Sequence, residues 1–380
     1  MNRTTDVLIV GAGPYGMSCA WWIASSAPGT RVTVVDQGDF ACGGIGRNAA
    51  GMRMQWGLEL NIRLCRESIG FFEEADKRLD YPGGIDLKQE GYLLLAHEDG
   101  VHDELRSNHA LQQKLGVPSV MMTPEDCTRL VPALSGRDLV GGAFCEKDGS
   151  ASPFLWMDAL FQAARRAGVE IVMGCRIEKL VQQGGSFLAV ARGADDFSAA
   201  KVLVCTDWAA PELLRTVGVD LPITAMPKQG LVTEAWPTVL SPFVISFRHE
   251  LAINQVRRGN IVAVAAQERP DGDGLGCTPD YLSHASGRIL DCLPGLADIN
   301  VIRTWGGVIS KTPDMQAVLG ETEVSDLYVA VSAYKGFMTS PAVGRIISEA
   351  VLGESDSPDI RPFGADRFRT GELIPEPTTV

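Results

Sequence analysis

The stretch of sequence that decides the fold reads Val7-Leu8-Ile9-Val10-Gly11-Ala12-Gly13-Pro14-Tyr15-Gly16. Its four leading apolar residues are typical of a strand that is buried on both faces. A helix is predicted over residues 17–25, and a second apolar strand over 31–35 ends at Asp36. These segments form a β-α-β unit with the pattern G-x-G-x-x-G at its first turn. The sequence therefore predicts an α/β protein (α+β overall) built on a Rossmann-like dinucleotide-binding domain.

Each glycine of this turn has a mechanical role. Gly11 permits the tight turn, Gly13 lets the backbone approach a pyrophosphate, and Gly16 lets the helix and strand pack closely. The helix N-terminus then presents free N–H groups and a partial positive charge to the phosphates. Asp36 follows at the spacing from which a carboxylate accepts hydrogen bonds from ribose hydroxyls. A second glycine-rich stretch, 272–276, has no strand leading into it and is interpreted as a surface loop, so one dinucleotide site is predicted.

The composition indicates a globular protein of about two domains. The chain has 380 residues, of which 45% are hydrophobic and 21% charged, which is ordinary for such proteins. Its net charge of -13 argues against binding to nucleic acid or to an anionic membrane. We expect neither a transmembrane segment nor a secretory signal. Nine cysteines without a C-x-x-C pair predict reduced thiols in the cytoplasm, and five histidines without H-E-x-x-H predict no metal site.

A run of small residues follows the second predicted strand and reads Ala41-Cys42-Gly43-Gly44-Ile45-Gly46-Arg47-Asn48-Ala49-Ala50-Gly51. Small residues let the backbone pass close beside a flat ring system, and Arg47 and Asn48 offer donors to phosphate or ring oxygens. The alternative is a glycine-rich loop with Arg47 as a surface charge. The run resembles the second flavin-contacting segment of the D-amino-acid oxidase (DAO) superfamily, and is most similar to the sarcosine oxidase beta-subunit and opine and proline dehydrogenase beta-subunit branch.

Four further segments resemble this family, namely 174–180, 201–208, 304–314 and 335–344. In the last of these, Ser340 is predicted to cap a helix that opens at Pro341, with N–H groups against the flavin's pyrimidine oxygens. The resemblance implies non-covalent FAD. The implied cofactor-binding residues are Gly11, Gly13, Pro14, Gly16, Asp36, Gly46, Arg47, Asn48, Ala49, Gly51, Ile177, Thr206, Trp208, Gly307, Gly336, Phe337, Met338 and Thr339.

The resemblance also implies a discontinuous domain organisation. The FAD-binding domain is predicted over residues 1–85, 145–215 and 300–380. The substrate domain is predicted over residues 86–144 and 216–299, as an antiparallel sheet with helices that covers the reactive face of the flavin. Strands are expected there at 90–96, 230–233 and 260–264, and an amphipathic helix is expected at 58–72.

The implied reaction is oxidation of the C–N bond of an amino acid or secondary amine, of the sarcosine, proline, hydroxyproline or opine class. A hydride passes to flavin N5, and the resulting imine is hydrolysed. The candidate catalytic residues are Lys335, Trp305 and Gln55. Lys335 is either a cation near the flavin or a solvent-facing side chain, and Trp305 and Trp56 are either pocket walls or core residues.

The partner of the substrate carboxylate stays open, because the chain lacks the Arg that amino-acid-oxidising relatives often place after the Trp-x-Gly. Arg53, Arg257, Lys335 and a partner subunit are the candidates. The resemblance implies the FAD subunit of a hetero-oligomeric dehydrogenase. The stretch 149–153 lacks a His, so covalent FMN is not expected there, while non-covalent FMN at a subunit interface stays open. The alternatives are a stand-alone, oxygen-using amino-acid oxidase and a catalytically silent scaffold subunit that holds flavin.

Overall fold

The computed structural model describes residues 3–269, 272, 274–354 and 360–377. The strands in these ranges are β1 (Arg3–Val10), β2 (Val32–Val35), β3 (Gly51–Met52), β4 (Tyr92–Ala96), β5 (Ser119–Met122), β6 (Gly141–Cys145), β7 (Gly149–Ser150), β8 (Glu170–Val172), β9 (Ile177–Gln183), β10 (Ser186–Ala191), β11 (Phe197–Val204), β12 (Thr224–Ala235), β13 (Phe243–Ser246), β14 (Leu251–Gln255), β15 (Asn260–Ala265), β16 (Val301–Lys311), β17 (Val318–Glu321) and β18 (Leu327–Val331). The α-helices are α1 (Pro14–Ser26), α2 (Glu59–Glu73), α3 (Ala75–Arg78), α4 (Asp99–Lys114), α5 (Pro124–Leu130), α6 (Pro153–Arg166), α7 (Ala210–Leu214), α8 (Tyr281–Cys292), α9 (Gly336–Leu352) and α10 (Arg367–Thr370).

The first sheet carries the predicted nucleotide-binding unit. Its strand order is β17-β18-β11-β1-β2-β8, and the β9–β10 hairpin pairs with β11. Strand β1 pairs in parallel with β11 and β2. Val7 and Ile9 face a core that α1, α2, α6 and α9 line, whereas Leu8 and Val10 face a second core beneath the β9–β10 hairpin. Burial on both faces explains the unbroken apolar run, and the predicted Rossmann-like α/β fold is confirmed.

The second sheet has the order β16-β12-β15-β14-β13-β4-β6-β5. Its neighbours are antiparallel except for β4 and β13, which are parallel. The strands predicted at 90–96, 230–233 and 260–264 lie in β4, β12 and β15. Strand β16 falls within 300–380, which we predict for the FAD-binding domain, yet it pairs along its length with β12. The indole of Trp305 on β16 fills the space left by the missing side chain of Gly230 opposite, which accounts for the register.

The helix near the C-terminus begins one turn earlier than the sequence indicates. Helix α9 begins at Gly336 with Lys335 as its N-cap residue, so Pro341 lies inside the helix and Ser340 is not the cap. Pro341 has no N–H for the carbonyl of Phe337. The Ser340 hydroxyl donates to that carbonyl instead, at 2.9 Å, and accepts from Trp156 Nε1 at 3.1 Å. A side chain thus replaces the missing backbone hydrogen bond, which is why the helix continues through the proline.

A buried ion pair ties the C-terminal segment to the loop before β17. The Arg367 guanidinium donates to both carboxylate oxygens of Asp314, at 2.8 and 3.1 Å. Their side chains are only 3% and 0% exposed. Burial alone would raise the pKa of Asp314, but the hydrogen bonds and charge of Arg367 outweigh it and the pKa is lowered. Asp314 therefore has a structural role in holding helix α10.

Replacement of Arg367 by Met is expected to lower the free energy of unfolding by about 3–5 kcal/mol, because Asp314 would be left buried without its counter-ion. Urea unfolding followed by circular dichroism measures this. Arg369→Met, at an exposed position of the same helix α10, is the matched control and should change stability little. Equal stability of the two variants would contradict a structural role for the pair.

Candidate functional site

The glycine-rich turn after β1 is held by close backbone contacts. Gly11 has a φ of +111°, and a Cβ there would collide with the carbonyl oxygen of Cys205 at the end of β11. A Cβ on Gly16 would collide with the carbonyl oxygen of Gly11. Any side chain at either position would therefore push helix α1 away from the sheet.

Gly13 differs from its two neighbours, since a Cβ there would meet no atom within 4 Å. Gly13 is the N-cap residue of α1, no side chain caps this helix end, and Pro14 occupies its first turn. The helix end therefore presents N–H groups to open space. Such a cradle, lined by backbone donors at a helix N-terminus, fits a diphosphate.

Asp36 ends β2 beside this turn. One of its carboxylate oxygens accepts from the N–H of Ala12 and the other from the N–H of Gly38, both at 2.8 Å. Its backbone carbonyl accepts from the N–H of Cys175 at 2.8 Å, which brings the start of β9 and the predicted residue Ile177 to the same edge of the sheet. Each carboxylate oxygen keeps a lone pair for a ribose hydroxyl.

The N-termini of α1 and α9 meet at the same place. A Cβ on Gly336 would lie 3.8 Å from Pro14, and the Tyr15 hydroxyl is 2.7 Å from the Thr339 hydroxyl. Thr206 follows β11 beside Gly11, and its buried hydroxyl oxygen has no hydrogen-bond partner among the described residues. This unpartnered hydroxyl beside the glycine-rich turn is a further group that a bound cofactor could satisfy by a hydrogen bond.

The loop of small residues lies against strand β16. It forms a 3-10 helix at Gly44–Arg47. Arg47 donates to the carbonyl of Gly306 at 3.2 Å, and its own carbonyl accepts from Trp305 Nε1 at 3.0 Å. A cavity of about 60 Å³ opens here. Its lining residues are Gly44, Arg47, Asn48, Lys228, Gln229, Val264, Trp305, Gly307, Val308 and Ile309. Lys228, Gln229 and Val264 could not be identified from the sequence, because no local motif marks them.

The remaining predicted cofactor residues occupy these same segments. Asn48 closes the loop, accepting from the N–H of Ala50 and donating to the carbonyl of Ile45. A Cβ on Gly46 would collide with the carbonyl oxygen of Ala41, and one on Gly51 with the Tyr92 hydroxyl. The other members are Ala49 and Trp208, both half-buried, buried Phe337 and half-buried Met338.

A second group of predicted residues forms a buried polar cluster between the two sheets, apart from the cavity beside Trp305. Gln55 is 2% exposed, and its Nε2 donates to the Tyr92 carbonyl at 3.0 Å and to Asp148 at 3.1 Å. Asp148 is fully buried and also accepts from the N–H of Met54 at 2.7 Å. Burial raises the pKa of Asp148 to about 7.

Lys335 lies in this cluster, and the alternative of a solvent-facing lysine is wrong because the residue is 2% exposed. Its ammonium donates to the Met315 carbonyl at 3.2 Å and to Gln316 Oε1 at 3.0 Å, and lies 4.2 Å from the centre of the Tyr334 ring. Burial lowers the pKa of Lys335 to about 8, while the charge of Glu376 acts in the opposite direction. A buried cation is thus held at the N-terminus of α9.

Arg53 is the second cation of the cluster. It is 4% exposed, its guanidinium carbon lies 3.9 Å from the centre of the Trp56 ring, and its Nη1 has no hydrogen-bond partner among the described residues. The buried hydroxyl of Tyr334 is also unpartnered there. Trp56 is a core residue, 1% exposed, whose indole donates to the Arg53 carbonyl. Arg257, by contrast, is exposed and donates to the carbonyl of Leu87.

The fold and the cradle at Gly13 define a dinucleotide-binding protein with a second sheet beside its nucleotide site. The family model "DAO: FAD dependent oxidoreductase" matches residues 6–350, and the chain belongs to this family. It is 26% identical to sarcosine oxidase subunit beta from Arthrobacter sp. over 99% of this chain and 94% of the relative.

Two solved structures are similar along nearly the whole chain. L-proline dehydrogenase from P. horikoshii has a TM-score of 0.92 and 25% identity, and the match covers 98% of this chain and 100% of that one. Glycine oxidase from Geobacillus kaustophilus has a TM-score of 0.88 at 20% identity, over 96% and 99% of the two chains, which shows the shared fold. These relatives support FAD-dependent oxidation of an amino acid or amine.

The described part of the chain holds neither a candidate membrane span nor a candidate metal cluster. Among the helices in these ranges, none combines the length and apolar character needed to cross a membrane. The same ranges contain no group of three or more His, Cys, Asp or Glu side chains that could hold a metal ion.

Replacement of Gly13 by Val should separate folding from cofactor binding. The extended backbone of Gly13 accepts a β-branched residue and the side chain meets no protein atom, so the fold should survive. The methyl groups would occupy the space next to the helix N-terminus, and the purified protein should lose its absorbance near ~450 nm. Gly100→Val, at an exposed position, is the control that should stay yellow. A folded, yellow Gly13→Val protein would refute the assignment of the cradle.

Replacement of Lys335 by Met should change how stability depends on pH. Between about pH 8 and pH 10 the unfolded chain keeps the lysine proton that the folded chain has lost, so wild-type stability rises with pH. The variant lacks this contribution. Its free energy of unfolding relative to wild type should fall by on the order of 2 kcal/mol from pH 7 to pH 10. Urea titrations at both pH values measure this, with Lys114→Met at an exposed site as control. A difference in the free energy of unfolding between Lys335→Met and wild type that does not change with pH would argue against a buried ammonium.

Proposed function

We propose that the chain oxidises the C–N bond of an amino acid or secondary amine, of the sarcosine, proline, hydroxyproline or opine class, and that it binds FAD non-covalently. Bound FAD would supply the two-electron oxidant for removal of a hydride from the carbon next to the substrate nitrogen, and water would hydrolyse the resulting imine. The observation that carries the substrate class is the buried guanidinium of Arg53. Its Nη1 lacks a partner in the described part of the chain, and a carboxylate would supply one.

The geometry supports Arg53 over the other candidates for the substrate carboxylate. Lys335 already donates to two oxygen atoms, and Arg257 lies on the surface. The Trp56 ring holds the guanidinium in place by a cation–π contact. The Tyr334 hydroxyl, which is also unpartnered among the described residues, offers a second donor that is electrically neutral. In this proposal Arg53 binds the carboxylate and Tyr334 orients it, while Lys335 keeps a positive charge at the N-terminus of α9.

For the cofactor, the proposal assigns the diphosphate to the N-terminus of α1, with Gly11, Gly13, Pro14 and Gly16. Asp36 and Ile177 would hold the adenosine part. The segment 46–51, together with Gly307 and residues 336–339, would line the ring system. The backbone cradle at Gly13 and the orphaned hydroxyl of Thr206 support this arrangement.

We propose that the protein is the FAD subunit of a hetero-oligomeric dehydrogenase in the cytoplasm. The support is its likeness to a protein named as a beta subunit, together with nine free thiols. Non-covalent FMN at a subunit interface stays an open alternative within this proposal. The alternatives are a stand-alone oxidase and a silent flavin-holding subunit. Peroxide formation by the isolated chain would favour the oxidase, and failure of every candidate amine to bleach the flavin would favour the silent subunit.

Replacement of Arg53 by Met tests the proposed site. Wild-type FAD-loaded protein, mixed anaerobically with sarcosine, L-proline, hydroxyproline and opines, should lose its flavin absorbance with at least one of them. For that amine, Arg53→Met should raise the dissociation constant about 10- to 100-fold, because a charge-assisted hydrogen bond is lost. The measurement is the concentration dependence of flavin bleaching by stopped flow.

Arg257→Met is the matched control and should leave this constant unchanged. An equal effect of the two substitutions, or none from Arg53→Met, would remove Arg53 from the site.

A further inference from the structure

The buried side-chain amide of Gln55 has one possible orientation. Its Nε2 lies 3.0 Å from the Tyr92 carbonyl and 3.1 Å from an Asp148 carboxylate oxygen. A main-chain carbonyl only accepts hydrogen bonds, whatever the protonation state of Asp148, so the NH₂ group must face Tyr92. The amide oxygen Oε1 therefore points to the other side.

That oxygen is left without a donor. Gln55 is 2% exposed, and its buried Oε1 has no partner among the described residues. A buried carbonyl without a hydrogen bond is unfavourable and rare in folded proteins. An N–H group of a bound molecule would satisfy it.

A second unpartnered atom nearby is a hydrogen-bond donor rather than an acceptor. Arg53, two residues earlier, has a buried Nη1 that needs an acceptor, and Asp148 interacts electrostatically with its guanidinium. One unsatisfied acceptor and one unsatisfied donor therefore lie on the same short segment, where it passes between the two sheets. An amino acid carries the complementary pair of groups, since its nitrogen donates and its carboxylate accepts.

We infer that Gln55 Oε1 accepts an N–H of the substrate nitrogen, and that Asp148 is a positioning residue that, together with the Tyr92 carbonyl, holds the amide in this orientation. The inference rests on the proposed function and narrows its substrate class. A neutral primary or secondary amine has an N–H to donate, whereas a neutral tertiary amine has none. The site therefore selects primary and secondary amino acids against N,N-dialkylated ones.

Two planar ligands that cannot be dehydrogenated at a saturated carbon test this. Pyrrole-2-carboxylate and furan-2-carboxylate share a shape and a carboxylate, but only the first has a ring N–H. Their dissociation constants are measured from the change in the flavin absorbance of the FAD-loaded full chain. Wild type should bind pyrrole-2-carboxylate about tenfold more tightly than furan-2-carboxylate, the effect of one hydrogen bond in a buried site.

Four variants test whether the buried polar cluster around Gln55 causes the preference for pyrrole-2-carboxylate over furan-2-carboxylate. Gln55→Leu should bring the ratio of the two constants close to one. Asp148→Asn, which replaces an acceptor facing Gln55 Nε2 by a group that can donate, should also lower the ratio while the protein stays folded. Arg53→Met should weaken both ligands equally. Gln112→Leu is the control, because Gln112 is another buried glutamine with an unpartnered Oε1, on helix α4. Its Nε2 donates to the Trp56 carbonyl, so a shift of Arg53 would change both constants together, and their ratio should stay near ten.

The outcomes separate this inference from the proposed function. Binding of both ligands with a wild-type ratio near one, or an unchanged ratio in Gln55→Leu and Asp148→Asn, overturns the role of Gln55 and leaves the carboxylate site standing. If neither ligand changes the flavin spectrum of wild type, the carboxylate site at Arg53 falls, and the inference falls with it.

Discussion

The close approach of helix α1 to the first sheet is the constraint on which the rest of the structure depends. Gly16 lies against the carbonyl of Gly11, and Gly11 lies against the carbonyl of Cys205, with no room for a Cβ at either glycine. This contact fixes the direction of α1, so that its N-terminus points out of the sheet beside the end of β11. The N-terminus of α9 reaches the same place through the contacts of Gly336 with Pro14 and Tyr15 with Thr339. Two helix ends thus present backbone donors to one region, an arrangement that favours the binding of anionic groups.

In the polar cluster between the two sheets, buried charged and unpartnered groups are unfavourable for stability. Arg53 and Lys335 are both cations with almost no exposure, and Asp148 is a fully buried acid. Lys335 and Asp148 have pKa values shifted by burial toward their neutral forms. Several buried polar atoms here lack partners within the described chain. A protein that only needed stability would fill this space with apolar side chains, because unpaired buried polar atoms are unfavourable. Their retention is typical of a site that binds a polar ligand.

The sequence predicted the parts of the molecule that depend on local pattern. The apolar run before Gly11 and the spacing of the glycines identified the nucleotide-binding unit, because strand burial, turn and helix start are all encoded within about 30 residues. The buried state of Lys335 was not predictable, since it depends on Gln316 and Tyr334 and on the packing of the C-terminal segment. The contact between Gln55 and Asp148 joins residues 93 positions apart. No spacing rule identifies such a pair. The antiparallel pairing of β3 with β7, which sets Met52 opposite Gly149, places them together.

The error at Pro341 shows how a local rule is overridden. Proline favours the first turn of a helix, and Ser340 before it has the character of a cap, so the local pattern predicts a helix start at that point. The structure instead uses the Ser340 hydroxyl to satisfy the carbonyl that the proline cannot serve. The indole of Trp156, from helix α6, donates to the same hydroxyl and holds it in place. Tertiary packing thereby extends α9 by one turn toward the nucleotide site. This extension, rather than the proline itself, brings Gly336 beside Pro14 and places the two helix ends together.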